Sequence, residues 1–381
     1  MKILVLGCGL QGSACAFDLL AQEDVGRVTI ADIRPDRGAP FLPDDERLRR
    51  AAVDFSDEAA TRALMAEHDV VLSAAPYYFN GPLARMAIEC GSDFSDLGGN
   101  TQIVFEQLEM DPEARAAGCT VIPDVGLAPG MVNVLAAEGI RRLDEVDSVR
   151  MYVGGLPQNP QPPLNYQVVY SLEGALDYYT TPSWIIRDGH PQQIDALSEV
   201  EELEFGVLGT LEAFHTGGGS STLPWRYEGR VKRLEYKTLR YPGHAEMMRS
   251  IRQLGLLSNE PICLDGREVV PRDVFIACVT PLLTRPEEPD LVALRVIARG
   301  KKRDGLSTHT WDLLDRRDEE TGITAMMRCT GFTLSIVGLL MGRDVIDRSG
   351  VLPPDECIPA DIYLRELAAR GIHVCYQETA T

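Results

Sequence analysis

Residues 2–7, KILVLG, form a short continuous apolar run, and the stretch SACAFDLLAQ at 13–22 repeats its apolar positions at helical spacing. The pattern predicts strand, turn and helix. RVTIAD (27–32), DVVLSAAP (69–76) and DFSDLGG (93–99) read as further strands, the last two ending in small residues and turns, as parallel strands do where ligands lie beyond their carboxyl ends. After residue 140 the pattern changes. SVRMYVGG, RLEYKTLRY, VFIACVTPLL, LVALRVIARG and STHTWDLL read as strands separated by turns rather than by regular helices, which predicts a largely antiparallel sheet. RCTGFTLSIVGLLMGRDVI (328–346) restores helical periodicity, and the proline-bracketed GVLPPDECIPADIYLRELAARG (350–371) adds a final helix.

The chain has 381 residues, enough for two domains, with the 45% apolar and 25% charged content of an ordinary globular protein. Its formal net charge of −20 repels polyanions, so nucleic acid and anionic membranes are not expected partners. Small molecules and sister subunits are. Nine cysteines fall singly with no CxxC pair, which argues against a disulfide framework and a zinc site, and no metal is expected. No run approaches the roughly eighteen apolar residues of a membrane span, and MKILVLGCGLQG meets glycines too early for a signal peptide, so the expected location is cytoplasmic.

The first turn is GCGLQG. Gly7 permits the tight turn, Gly9 lets the backbone approach a pyrophosphate, and Gly12 lets the helix pack on the strand with its N-terminal N–H groups facing the phosphates. RVTIAD then ends in Asp32, about twenty residues on, where a carboxylate accepts from both ribose hydroxyls and repels a 2′-phosphate. NAD is therefore expected over NADP, with Arg34 the residue that argues the other way. Leu10 and Gln11 in the turn, Ile33 after Asp32, and Ala74, Ala75, Asp96 and Gly98 at later strand ends complete the candidate cofactor contacts. The expected class is α/β: a Rossmann dinucleotide-binding domain, residues 1–123 plus 331–381, carrying an inserted α+β substrate-binding and oligomerisation domain on a mainly antiparallel sheet, residues 124–330.

With GCGLQG, DLGG, PDVGLAPGMVN, SLEG, EAFHTGGGSSTL and KTLRYPGH read in order, nearly the whole chain resembles the saccharopine dehydrogenase-like family, and within it the bacterial lysine 6-dehydrogenases. The resemblance implies a homodimer or homotetramer and NAD(P)-linked oxidation of a C–N bond in an amino acid. L-lysine oxidised at its ε-carbon, with loss of ammonia and cyclisation of the aldehyde to piperideine-6-carboxylate, is the substrate it suggests. The alternatives are a condensing reductase of the saccharopine or carboxynorspermidine dehydrogenase type, and a catalytically silent NAD-binding protein.

Such a reaction needs a base, because an amine with a pKa of about 10.4 arrives protonated. Asp124, ending a strand-like run at the domain junction, is placed to bind the substrate ammonium or to act as base. His215 in EAFHTGGGSST is a candidate catalytic acid or base in a stretch read as a mobile wall beside the substrate, the alternative being an exposed turn histidine. Lys237, Arg240 and His244 gather around the turn of KTLRYPGH, where Arg240 would hold a substrate carboxylate and Lys237 or His244 add a contact or titrate in catalysis; the alternative is an internal ion pair with Glu235 or Glu246. On a regular strand Lys237 and Arg240 face opposite sides, which favours Arg240. Glu173 and Tyr78 stand between substrate contact and ordinary helix-start or loop-rim roles, and Asn133 between ligand contact and a first-turn structural role.

Overall fold

A computed structural model describes residues 1–303 and 305–380. Strands β1 (Lys2–Leu6), β2 (Arg27–Asp32), β3 (Leu48–Ala52), β4 (Val70–Ser73), β5 (Asp93–Asp96) and β6 (Thr120–Ile122) lie side by side in the order β3-β2-β1-β4-β5-β6, all parallel. The apolar runs of β1, β2 and β4 are buried, as the central strands of a parallel sheet require, while the edge strand β3 stays largely exposed. The strand order reverses between β1 and β4, which opens a crevice beyond their carboxyl ends, the binding position of Rossmann folds.

The second sheet is built from β7 (Glu145–Pro157), β8 (Ser183–Arg187), β9 (His190–Ile194), β10 (Glu201–Glu204), β11 (Thr210–His215) and β12 (Val231–Arg240), followed after the small hairpin β13 (Ile262–Leu264) and β14 (Arg267–Val269) by β15 (Asp290–Lys302) and β16 (Gly305–Arg316). It is mixed rather than purely antiparallel, because β12 runs parallel to β7 at its centre. VFIACVTPLL also departs from expectation: it lies in the helix Pro271–Leu283. Proline at the first helical position favours that start, and Phe275, Ile276, Val279 and Leu283 turn one helical stripe into a local core, so tertiary burial overrides the strand preference of Val, Ile and Phe.

The chain then returns to the first domain. β17 (Gly350–Val351) adds to the first sheet beside β6, whereas β18 (Cys375–Ala380) crosses back to pair with β16, so the C-terminal stretch serves both sheets and is not wholly part of the nucleotide domain. Ahead of both strands in the chain, and in contact with both sheets, runs the helix Ala325–Gly342. Its mean hydropathy of 1.4 makes it long and apolar enough to cross a membrane, contrary to the sequence expectation, but 89% of it is buried inside the protein. It packs on the helix Leu10–Leu20 and on the first sheet, and close approach needs glycine: a Cβ at Gly331 would lie 2.7 Å from the Gln11 carbonyl oxygen.

Buried polar groups fix this helix in place. At its start Ala325 N–H and Met326 N–H donate to the two oxygens of Asp290, at 2.7 and 2.9 Å, so a fully buried carboxylate from the second sheet caps it. Further along, Ser335 Oγ–H donates to Asp18, whose other oxygen accepts from Arg370 Nε at 2.7 Å, so a buried ion pair ties this helix to the helix Leu10–Leu20 and to the end of the helix Ala360–Ala369. Asp290→Ala leaves two buried N–H groups without an acceptor and should cost about 2 kcal/mol or more. Urea unfolding followed by circular dichroism checks this as a lowered midpoint.

Candidate active site

The glycine turn is built as its spacing demands. Gly7 has φ +98°, and a Cβ there would lie 2.8 Å from the Ala74 carbonyl oxygen, while one at Gly12 would collide with the Gly7 carbonyl. Gly9, the N-cap of the first helix, meets nothing within 4 Å, so the turn presents an open cradle at a helix N-terminus. Both amide atoms of Gln11 are buried without a hydrogen-bond partner among the described residues, and Leu10 and Ile33 are 47% and 64% exposed at the rim. A dinucleotide fits this donor-rich, partly apolar cradle.

Asp32 ends β2 and accepts from Cys8 N–H at 3.0 Å and Arg34 N–H at 2.9 Å, which locks the turn against the second strand. Each of its oxygens keeps a lone pair for a ribose hydroxyl. Ala74 and Ala75 follow β4 against Gly7. Asp96 corrects the sequence expectation. It is fully buried, its oxygens accept from Gly98 N–H at 2.7 Å, Asp124 N–H at 3.3 Å and Gln107 Nε2 at 2.7 Å, and it therefore shapes the turn holding Gly98 instead of reaching a cofactor.

Asp124 lies just beyond β6 with φ +61°, a conformation uncommon for a side-chain-bearing residue. It is 1% exposed, and its carboxylate accepts from Ser221 Oγ–H and, at 3.3 Å, from Gly99 N–H. Burial pushes its pKa up to about 7, with Ser221 opposing and the charge of Asp96 adding to the rise. Asp96 itself is pushed up to about 6 by burial. The loop that carries Ser221 is held to the start of the helix Met131–Arg141 by Asn133, whose Nδ2 donates to Ser220 O at 3.1 Å and whose Oδ1 accepts from Gly130 N–H at 2.6 Å. Asn133 is thus a helix-start and bridging residue.

Beside this carboxylate a cavity of about 430 Å³ opens between the domains, walled by Tyr77, Gly99 and Phe105 from the first and by Tyr178, Trp184 and Trp225 from the second. Tyr77 takes the place expected of Tyr78, which points outward and is 60% exposed. Glu173 is also displaced from its expected role: it is exposed in the first turn of the helix Leu172–Thr180, and five residues later Tyr178 provides the wall.

Pairing of β11 with β12 sets His215 opposite Lys237 and Glu212 opposite Arg240 on alternate faces of the sheet. Arg240 is buried, with Nε donating to Tyr179 Oη at 3.1 Å, Nη1 to Leu239 O at 2.8 Å, and the guanidinium 4.7 Å from the centre of the Tyr166 ring. Among the described residues no carboxylate lies within 4.0 Å of it. A buried cation so placed lacks a counter-ion that an anionic ligand group would supply. The glycine-rich loop covers the same face, since a Cβ at Gly219 would meet the Tyr236 ring at 2.4 Å.

His244 does not titrate there. Its Nδ1 contacts Leu164 O at 2.9 Å, so it carries the proton, and Nε2 accepts from Tyr179 Oη–H at 3.0 Å. Burial and then Arg240 push its pKa down to about 3, so it stays neutral and orients Tyr179 rather than moving protons. His215 and Lys237 lie on the opposite face, outside the site. His215 is fully buried, 3.2 Å from Tyr236 O and 3.4 Å from Glu199, its pKa lowered by burial and by Lys237; Lys237 donates to Glu201 at 2.8 Å and Glu199 O at 2.7 Å. An ion pair does form in this segment, but it joins Lys237 to Glu201 rather than to Glu235 or Glu246, and Glu235 pairs with Arg150. Glu199, His215 and Glu235 bring donor atoms within 4.8 Å of one another, but Arg187 and Arg150 already pair with the two carboxylates at 2.9 and 3.1 Å.

Residues 3–122 match the family model "Saccharopine dehydrogenase NADP binding domain", and residues 126–372 match "Saccharopine dehydrogenase C-terminal domain". The chain belongs to the saccharopine dehydrogenase family. It is 26% identical over 271 residues to saccharopine dehydrogenase [NADP(+), L-glutamate-forming] of Saccharomyces cerevisiae, covering 68% of this chain and 59% of that protein. It is 25% identical over 336 residues to carboxynorspermidine synthase of Vibrio alginolyticus, covering 79% of this chain and 78% of that one. The chain spans about six tenths of the length of the fungal saccharopine dehydrogenases it matches. An apo saccharopine dehydrogenase (L-Glu forming) structure from Saccharomyces cerevisiae shares the fold, with a TM-score of 0.82, 21% identity and 99% of both chains covered. The family model and the yeast relatives are named for NADP, which leans away from the NAD expected from Asp32.

The buried carboxylates make stability depend on pH with a definite sign. A carboxyl group whose folded pKa is raised stabilises the fold below its unfolded pKa, and that contribution is lost as pH rises from about 4 to the folded value, by about 1.4 kcal/mol per pH unit between the two. Asp124→Asn should therefore flatten the fall in stability between pH 4 and 7 by up to about this amount per pH unit, leaving the slope due to Asp96. Urea unfolding at a series of pH values measures it.

Proposed function

We propose that this family member is a nicotinamide-dinucleotide-dependent oxidoreductase that oxidises the side-chain amine of a basic amino acid, L-lysine at its ε-carbon, with release of ammonia. The observation that carries the reading is Asp124, a buried carboxylate with a pKa raised to about 7, held at the junction of the two domains and next to the cavity. A base tuned near neutrality accepts the ammonium proton and then activates the water that releases ammonia. Burial in the cavity lowers the amine pKa toward that of the base. Ser221 and Gly99 hold the carboxylate in one orientation, so the acceptor lone pair is fixed before substrate arrives. Arg240 binds the substrate carboxylate, and the neutral His244 keeps Tyr179 turned toward it. When bound, the dinucleotide supplies the hydride acceptor; the Gly7–Gly12 turn, Gln11 and Asp32 would hold it.

The carboxylate of Asp32 supports NAD as the cofactor. The names of the family model and of the yeast relatives support NADP, and exposed Arg34 and Arg37 nearby are the cations that a 2′-phosphate would use. A second reading, a condensing reductase joining an amine to an aldehyde or keto acid, is supported by the relatives' names and by a cavity roomy enough for two partners.

Purified protein should form reduced dinucleotide at 340 nm with L-lysine, with matching ammonia, and more efficiently with NAD than with NADP. Silence with lysine, together with oxidation of the reduced dinucleotide in the presence of an amine and a keto acid or aldehyde, selects the condensing reaction. Arg240→Ala loses a charge-assisted pair of about 1.5–3 kcal/mol, so KM for the amino acid should rise roughly 10- to 100-fold while dinucleotide affinity holds. Steady-state kinetics and a dinucleotide titration separate the two effects.

A further inference from the structure

The lining of the interdomain cavity has an unusual chemical balance. Five aromatic side chains, Tyr77, Phe105, Tyr178, Trp184 and Trp225, face a space of about 430 Å³ whose lining contains no lysine, arginine or histidine. Its one charged side chain, Asp177, is already paired with Arg272 at 2.7 Å. The aromatic rings are mutually braced: Trp225 stands edge-on to Phe105 with centroids 4.9 Å apart at 88°, and its centroid lies 4.7 Å from that of Trp184. Phe105 comes from the first domain and the two tryptophans from the second, so the box exists only where the domains meet. All three are half-buried, with ring surface left to the cavity.

The cavity lining includes Gly99, whose N–H donates to the Asp124 carboxylate, and Ser220, whose neighbour Ser221 donates to it through Oγ–H. Aromatic faces carry negative quadrupoles that attract ammonium groups, by about 0.5–1 kcal/mol when exposed and 2 or more when desolvated. They offer nothing comparable to a carboxylate, which would enter without a cationic partner. We infer that this aromatic box is a subsite for the cationic amine end of the substrate, selecting diamines and basic amino acids over substrates that would place a carboxylate there. The inference rests on the amine-oxidising reading and adds to it the residues that select the amine end: the ammonium is gathered by Trp184, Trp225, Phe105 and Tyr178 next to the base, and the carboxylate goes to Arg240.

The test is equilibrium binding to the full chain without dinucleotide, read by tryptophan fluorescence, which reports from Trp184 and Trp225 over the constant background of buried Trp311. The probes are 1,5-diaminopentane, 1,5-pentanediol and glutarate, matched in length and differing in charge. The diamine should give a saturable change with at least tenfold higher affinity than the diol, and glutarate should bind no better than the diol. Glutarate binding as tightly as the diamine, or equal affinities for diamine and diol, overturns the inference in the wild-type protein alone. Trp184→Leu and Trp225→Leu, each checked for folding by circular dichroism, should weaken the diamine at least tenfold by equilibrium dialysis; unchanged affinity in folded variants also overturns it. Turnover is scored separately. Diamine selectivity without lysine oxidation removes the proposed reaction and leaves the subsite, whereas lysine oxidation without diamine selectivity does the reverse.

Discussion

Burial of the helix Ala325–Gly342 is the constraint on which the two-domain arrangement depends. Apolar on every side, it cannot be left at a surface, and it packs against the first helix and first sheet while Asp290 of the second sheet caps its start. Chain that leaves the second domain is thereby drawn into the first. Orientation of the domains follows, and with it the meeting of Phe105 with Trp225 and of Asp124 with Ser221.

The site is then defined by unequal treatment of buried charge. Asp124 and Asp96 lie close together in a dry junction, which favours the protonated carboxyl and moves both toward neutral pH. Asp96 is used up by main-chain and glutamine donors, so its role is to hold the turn. Asp124 keeps fewer partners, Gly99 N–H and Ser221 Oγ–H. Arg240 shows the opposite case, a cation whose surroundings are aromatic and phenolic rather than anionic. The two buried charges thus sit in opposite electrostatic surroundings.

Histidine illustrates how environment overrules residue type. Both His215 and His244 have the chemistry of a neutral-pH acid or base, yet both are deeply buried beside a cation, and both have lowered pKa values. The titrating group near neutrality is an aspartate instead. Residue identity lists what a side chain can do; desolvation and neighbouring charge select which of these it does.

The glycine turn, the strand ending in Asp32 and the opposite facing of Lys237 and Arg240 were legible in the sequence, because each depends on contacts between residues near in the chain or on strand alternation alone. The aromatic box, the partnership of Asp124 with Ser221 and the bracing of Tyr179 by His244 were not, because each joins residues from elements far apart in the chain. Local spacing misread VFIACVTPLL for the same reason: its β-branched residues suit a strand, and only the partner core around Phe275 and Leu283 selects a helix. What the sequence by itself determined is therefore the dinucleotide-binding half and the alternation of its strands. Tertiary structure decided which buried groups meet, and through desolvation and proximity, which of them carry charge.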